Sequence, residues 1–544
     1  MKKFAPVIII GIFSLAGLSA LIHPGLYTAH DIWHNVARLY HYQQAVSDGQ
    51  FPPAWIGTLA QGYGYPLFIF SYHLPWLIAL PFLSAGLSIP SVLKLLFFLS
   101  FFLSGLSMFS LARHLTRSRK AAVLASILYL WAPYRFYIIF VSASMGSAWV
   151  FVFAPLLLLG FYLTSIPLIA FALAGIILSH FIGLFTFLPV VALFFLWLLF
   201  SFPSPLRLIK SGVYGILLGL CLAAFYLIPA VRYSPLTISR DSTKGFSQIY
   251  TNNFVYLKQL IYSPWGYGPV SHTAKDGEVS FQIGIAHWGS VILLTLLLTI
   301  RRTRHSRLLS LGLILSFLIS VIAMLDVSRP WWDLAQKILV LDYPTRFLSP
   351  ALFISSLSAG VAFLLSPAKL RLLLLSLLIV LTLYANRNHL RVNLYSDEPV
   401  ATYFTSELTT NTHHEYFPLS ADARLLDQPS PPTEPYLYLS QFMQSTDTFF
   451  FSAATSSASV VSLRQVDFPG QTLYLDGRKI NYSPDTRGRI SLNLPVGTHY
   501  VYVRYYPTFL MQLSRLISLV SLAIVLYLAG KKIIRQNRTH NGYV

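Results

Sequence analysis

The sequence predicts an α-helical polytopic membrane protein of about 12 spanning helices, with a small β-sandwich outside the membrane just before the last span. Three observations predict this. Of the 544 residues, 55% are hydrophobic and 11% charged, where a soluble domain carries about 25% charged residues. The apolar residues gather into runs near the ~20-residue length that crosses a bilayer. The charges are also sorted, because all 19 Asp and Glu residues fall outside six short basic segments.

The first apolar run, 4–22, follows Met1-Lys2-Lys3. A signal peptide starts the same way, but no clear A-x-A site closes the run and more spans follow, so it reads as a retained first span. Further spans are expected at 91–112, 121–140, 148–164, 166–180, 181–201, 211–230, 286–300, 308–325, 346–366, 371–385 and 509–530. The basic segments are Lys2-Lys3, residues 113–120, the loop with Arg207 and Lys210, residues 301–307, Lys369 with Arg371, and the tail 531–544. The positive-inside rule places them all in the cytoplasm. Twelve crossings then put both termini in the cytoplasm of a plasma-membrane protein. A thirteenth span at 66–83 would invert that order. The stretch contains Pro66, His73, Pro75 and Pro81, so a re-entrant or juxtamembrane helix on the outer side is expected instead.

This parity defines a transmembrane domain over residues 1–385 with a first outer loop 23–90, an extracytoplasmic domain 386–508, a last span 509–530 and a basic tail. The extracytoplasmic domain reads as β-rich from about 446, since Leu473-Tyr474-Leu475 runs into the hairpin signal Asp476-Gly477, and 490–494 and 500–506 alternate. The net charge of +20 follows from the loops and does not point to nucleic acid. Cys221, the only cysteine, rules out an internal disulfide and a cysteine metal cluster. No charged side chain is expected near the centre of a span, which argues against ion-coupled transport. No Walker A sequence is present, which argues against ATP-driven transport.

The most informative stretch follows the first span. On a helix, Asp31, His34, Asn35, Arg38 and Tyr42 share one face, and Ile32, Val36, Leu39 and Val46 another. This pattern predicts an interfacial amphipathic helix with its apolar side in lipid and its charged side open to a ligand. A carboxylate, an imidazole and a guanidinium together suit a phosphate-linked substrate. Arg38 can pair with phosphate, and Asp31 can deprotonate a hydroxyl or bind a divalent cation such as Mg or Mn. Asp31 as a plain N-cap is the competing reading. His30 and His34 are weaker metal candidates beside Asp31, with space-filling at the interface as the alternative. Trp265 and Tyr267, in Tyr262-Ser263-Pro264-Trp265-Gly266-Tyr267-Gly268, offer rings for stacking on a sugar or a lid without a ligand. Arg346, in Asp342-Tyr343-Pro344-Thr345-Arg346-Phe347, begins a span where it can hold a lipid phosphate or snorkel to headgroups.

The order His30-Asp31-x-x-His34-x-x-x-Arg38, Gly49-Gln50-Phe51-Pro52-Pro53-x-Trp55, Gly62-Tyr63-Gly64-Tyr65-Pro66, 263–268, 280–284 and 344–348 resembles bacterial membrane proteins labelled "6-pyruvoyl-tetrahydropterin synthase-related". Nothing in these motifs suggests pterin chemistry. Phe468-Pro469-Gly470, Asp476-Gly477 and 494–499 are similar to the C-terminal β domain of YfhO-like proteins. That family resembles the GT-C glycosyltransferases. The resemblance implies a polyprenyl-phosphate-linked sugar donor, a glycan, lipid or protein acceptor, and Asp31 as catalytic base or metal-linked carboxylate. It also implies that Arg135, in Pro133-Tyr134-Arg135, binds substrate. This chain departs from the pattern where an Arg and then a Glu are expected: Ser142 and Ser147 stand there. Either another acid serves, from Asp241, Asp276 and Asp342, or the chain is a degenerate member. A non-catalytic envelope protein that binds or moves lipid-linked saccharides is the alternative function.

Overall fold

The computed structural model describes residues 4–239, 249–268, 275, 278–298, 303–336, 342–404, 407, 409, 414–427 and 430–541. Among these, eight helices are long and apolar enough to cross a membrane: Ile89–Thr116, Met145–Tyr162, Phe181–Ser201, Pro205–Leu222, Ser306–Ala323, Pro344–Leu365, Ala368–Asn386 and Phe509–Lys531. A ninth is made if Arg119–Leu130 and Pro133–Val141, bent by 51°, form one broken span. The break has a local cause. Pro133 pushes Ala132 out of the helical region, to ψ 141°.

Three other expected spans coincide with the shorter apolar helices Ala5–Gly17, Ile166–Ser179 and Ile285–Leu297. The stretch 66–83 is not a single span. It forms Leu67–Phe70 and Leu74–Ser84, parted by an extended Ser71.

Helix Ile32–Ser47 corrects one expectation. Ile32, Val36 and Leu39 are fully buried, and the helix packs on Ile89–Thr116 and Leu74–Ser84. Its apolar side therefore faces protein rather than lipid, because neighbouring helices present matching apolar surfaces that close over it.

Strand β1 (Leu26–Tyr27) pairs with β2 (Tyr395–Ser396), tying the first loop to the segment after helix Arg371–Asn386. Nine further strands follow: β3 (Thr433–Glu434), β4 (Leu439–Gln444), β5 (Thr448–Thr455), β6 (Ser459–Val466), β7 (Gln471–Leu475), β8 (Arg478–Ile480), β9 (Ser483–Pro484), β10 (Arg489–Leu494) and β11 (Gly497–Tyr505). They make two open sheets, ordered β3-β6-β10-β9 and β4-β5-β11-β7-β8. Phe449, Phe451 and Val501 of one sheet share an apolar cluster with Val461, Ile490 and Leu492 of the other. Strands begin at 433, before the expected 446, because β3 is too short to show alternation. Asp476 and Gly477 both take positive φ, 51° and 77°, as the β7–β8 hairpin requires.

The β-rich region seats on the first loop. The Trp55 ring stacks between Phe468 and Tyr505, with centroids at 5.7 and 5.6 Å. The Asp48 carboxylate accepts hydrogen bonds from Thr446 N (2.9 Å) and Thr446 Oγ1 (2.6 Å). Gly64 is a requirement of this packing: its φ is +92°, and a Cβ there would lie 2.1 Å from the Trp55 ring.

Candidate functional site

Asp31 is placed by the backbone of a neighbouring element. A π-helical turn, Tyr137–Val141, follows the bent helix, a feature frequent at functional sites. Its end receives the first loop: His30 N donates to Val141 O and Asp31 N to Ser142 O, both at 2.9 Å. Asn35 Nδ2 donates to Ala143 O at 2.8 Å and Tyr27 OH to Ile139 O at 2.6 Å. Asp31 is the N-cap residue of Ile32–Ser47, but its side chain makes no capping hydrogen bond. The plain N-cap reading thus accounts for the position of Asp31 and not for its carboxylate.

Arg38 lies two turns further along the same helix. Its Nε donates to the Thr409 carbonyl and its Nη1 to Tyr72 OH (3.4 Å). Burial alone would lower the guanidinium pKa, but Tyr72, Asp31, Tyr416 and Glu415 more than offset this, and the net shift is upward. Tyr72 itself is raised, chiefly by burial.

Arg346 forms a bidentate pair with Asp342, Nε to Oδ1 at 2.6 Å and Nη2 to Oδ2 at 2.5 Å. Burial pushes the Asp342 carboxyl up and the Arg346 charge pulls it down further, leaving it below the usual carboxylate value. A small cleft of about 20 Å³, room for about one water, lies beside this pair, lined by Tyr134, Ser147, His180, Thr186, Ser349 and Arg346. Tyr137 and Tyr343 both lie within electrostatic reach of Asp31 and of Arg346. Asp31, Arg38, Asp342 and Arg346, which come from distant stretches of the sequence, thus lie within electrostatic reach of shared neighbours, and of the four Arg346 lines the cleft.

The two departures from the family pattern fall here. The Ser142 carbonyl holds Asp31 N, and Ser147 lines the cleft while accepting a hydrogen bond from Ser144 Oγ at 2.8 Å. Of the three alternative acids, Asp342 is at the site, whereas Asp241 and Asp276 lie outside the described residues.

The remaining candidates separate. His34 is half-buried one turn after Asp31. His30 Nε2 is within hydrogen-bond distance of Gly268 O, at 3.0 Å, which brings the aromatic loop next to Asp31. In that loop Trp265 stacks on His389 at 4.4 Å and Tyr267 OH donates to Arg391 O at 2.6 Å. Arg135 is not brought to the cleft. It is fully buried, with Nη2 donating to Ser104 Oγ at 2.9 Å and the guanidinium 4.1 Å from the Phe151 centroid. The expected role in substrate binding does not fit a side chain sealed between rings.

A divalent cation fits poorly too. Among the described residues no three His, Cys, Asp or Glu converge, and one carboxylate beside a histidine already bonded to a carbonyl falls short of the oxygen ligands Mg or Mn takes.

Residues that sequence reasoning missed are Tyr72, His180 and Thr409. Tyr72 had a signal, being a polar break inside a proline-flanked apolar run. His180 and Thr409 had none, since long-range packing alone brings them in.

Fold and site together define a multi-pass membrane protein with a half-buried arginine–carboxylate pair and an attached β-rich region. No protein-family model matches the chain. It is similar to an uncharacterised protein of Lactococcus lactis subsp. cremoris (strain MG1363), 24% identical over 249 residues, or 43% of this chain and 40% of that protein. The chain thus spans about two fifths of the length of the relative it matches.

Proposed function

We propose that this protein is a membrane glycosyltransferase that moves a sugar from a polyprenyl-phosphate-linked donor to a glycan, lipid or protein acceptor on the extracytoplasmic face. One observation carries the reading: the Asp31 carboxylate is not used for capping and shares its electrostatic surroundings with Arg38 and Arg346. In the transfer, the acceptor oxygen bonds to the anomeric carbon while the bond from that carbon to the phosphate oxygen breaks. The phosphate leaves with the electron pair, and the acceptor proton passes to Asp31. Attack from the side opposite the leaving group inverts the anomeric centre. Arg38 and Arg346 hold the departing phosphate. Arg346 spends Nε and Nη2 on Asp342, and a guanidinium has five N–H donors, so Nη1 serves the phosphate. Trp265 and Tyr267 border the sugar site through the contact of their loop with His30.

The finer architecture belongs to the same reading. Twelve crossings include the three short apolar helices, both termini lie in the cytoplasm of the plasma membrane, and the two sheets close as a sandwich over their shared cluster.

Membranes holding the protein and a radiolabelled lipid-linked sugar test the proposal. Wild type should transfer the label, and Asp31→Asn should abolish transfer with an unchanged unfolding temperature. Full transfer by Asp31→Asn removes Asp31 from the mechanism. The alternative, a non-catalytic binder or mover of lipid-linked saccharides, is favoured by the serine at position 147 in the cleft. Saturable binding without turnover by wild type, indifferent to Asp31→Asn, selects it. The topology is checked separately: in a Cys221→Ser background, Ser47→Cys should react with a membrane-impermeant thiol reagent outside intact cells.

A further inference from the structure

A cavity of about 220 Å³ lies between the start of helix Ile89–Thr116 and the end of helix Ala5–Gly17 with the 3-10 turn Ser19–Ile22 that follows it. Leu15, Leu18, Leu21 and Ile22 form one wall, and Leu95 and Phe98 the other. Protein interiors leave few voids larger than a water molecule, and an apolar void of about 150 Å³ already takes in benzene. Leu15 and Ile22 are 55% and 76% exposed. The cavity is therefore a groove open on the outside of the helix bundle, the surface that a bilayer covers.

One cation, Lys94, completes the lining. Its Nζ donates to the His23 and Gly25 carbonyls at 2.7 and 3.0 Å, and among the described residues no carboxylate pairs with it. An ammonium has three donors, so one remains for a ligand. The carbonyls are braced from β2, where the Tyr395 ring stacks on His23 at 3.6 Å and Tyr395 OH donates to Ala20 O at 3.0 Å. Depth follows from helix length. The 28 residues of Ile89–Thr116 extend about 42 Å across a hydrocarbon layer ~30 Å thick, so about 6 Å projects at each end of a centred helix. Lys94 lies about 8 Å from the first residue, at the boundary of hydrocarbon and headgroups, and Phe98 lies one turn deeper.

We propose that this groove holds one acyl chain of an anionic phospholipid, with the lipid phosphate on Lys94. The cation at headgroup depth and the apolar walls below it match the two ends of such a molecule. A zwitterionic head brings its own cation and leaves Lys94 uncompensated. Another helix does not fit, since one turn at a diameter of about 10 Å fills about 400 Å³, whereas a hydrocarbon chain is far thinner. A lipid-linked sugar donor does not fit either. The transfer reading puts its phosphate at Arg38 and Arg346, and the groove shares no lining residue with the cleft at Arg346. The proposal stands apart from that reading, because it asks nothing of the cleft.

The test uses the full-length protein in detergent, titrated with phosphatidylglycerol, phosphatidylethanolamine, polyprenyl phosphate and inorganic phosphate, with bound lipid counted by native mass spectrometry. Wild type should retain one phosphatidylglycerol that neither inorganic phosphate nor an equal amount of polyprenyl phosphate displaces. Phosphatidylethanolamine should bind there about fivefold more weakly. Lys94→Gln should weaken phosphatidylglycerol by about fivefold and leave phosphatidylethanolamine nearly unchanged. Leu15→Trp, which fills the groove from its exposed rim, should weaken both by about tenfold or more, since each buried methylene counts. Equal unfolding temperatures without lipid show that the variants fold. Asp31→Asn should bind phosphatidylglycerol as wild type does, which keeps this outcome separate from the fate of the transfer reading. Undiminished phosphatidylglycerol binding in either folded variant, equal binding of the two phospholipids, or displacement by polyprenyl phosphate overturns the proposal.

Discussion

Arg135 and Arg346 are both arginines within apolar helices, and the fold treats them in opposite ways. Arg135 is sealed among Phe101, Tyr129 and Phe151 with one hydrogen bond, to Ser104, and its Nε and Nη1 have no partner among the described residues. Arg346 meets a carboxylate through two hydrogen bonds and lines a cleft. Ring faces stabilise a desolvated guanidinium by up to ~2 kcal/mol, which offsets only part of the cost of burying the Arg135 charge. A bidentate carboxylate beside open space instead holds a cation in fixed orientation for an incoming anion. The difference teaches that a charge inside a membrane bundle indicates a ligand only when a cleft reaches it.

The largest effect should come from breaking the pair. Arg346→Ala leaves the half-buried Asp342 carboxylate without its partner, which costs about 1–3 kcal/mol, read as a fall in unfolding temperature together with lost transfer. The double variant Asp342→Asn/Arg346→Gln removes both charges and should recover most of the stability but none of the transfer. Recovery of transfer in the double variant would contradict the role given to Arg346. Arg135 should behave differently. Arg135→Ala opens a cavity and should cost ~3 kcal/mol, while Arg135→Met, of similar volume and uncharged, should be close to neutral and keep full transfer. A drop in transfer for stably folded Arg135→Met would erase the distinction drawn between the two arginines.

Acid should separate the regions next. His73 sits in the first loop, with Tyr42 OH 3.1 Å from Nδ1 and the Phe68 carbonyl 2.8 Å from Nε2. Burial, the largest influence, lowers its pKa to about 3. The unfolded state then binds a proton that the folded state refuses, so this contribution is complete above the unfolded value near ~6.5 and is lost as pH falls from there toward 3. His41, lowered to about 4 by burial, acts in the same direction. Asp342 is also depressed, so its contribution persists above the unfolded value near ~3.9 and is lost only below it. Unfolding measured from pH 8 to 3 should therefore show one decline beginning near pH 6.5 and a second below about 4. His73→Gln should shrink the first without removing it, since His41 still contributes, and Asp342→Asn should shrink the second, since Asp485 is also depressed.

Much of this molecule was legible in sequence because a bilayer imposes length and composition on whatever crosses it. The eight long helices fall on expected runs, and Asp476-Gly477 turns the expected hairpin because few residues adopt positive φ at two successive positions. The short motifs pointed to Asp31, Arg38 and Arg346, and packing brings these together. Periodicity failed at Ile32–Ser47, since an apolar stripe looks the same whether lipid or protein covers it. It also said nothing of Arg135, where burial of a cation depends on three rings supplied by three helices. The nearness of Thr409 to Arg38 could not be read either, as 371 positions separate them.

Arg38 sharpens the comparison, for it lies between the two extremes: a cation held by neutral oxygens, the Thr409 carbonyl and Tyr72 OH. A few residues before Thr409, two ring pairs rest on helix Ile32–Ser47, Tyr403 on Trp33 at 3.9 Å and Phe404 on Tyr40 at 4.4 Å. A donor phosphate that takes the Nε edge of Arg38 displaces the carbonyl and so works against these stacks, each worth about 1 kcal/mol. Tyr403→Ala/Phe404→Ala should therefore lower stability slightly and lower KM for the lipid-linked donor by roughly fivefold to tenfold, with kcat unchanged. Arg346→Lys should do the reverse, leaving stability nearly intact and reducing kcat, because an ammonium cannot present two parallel donors. If both variants shift KM and kcat alike, Arg38 and Arg346 act as one charge, and the division of labour between them is wrong.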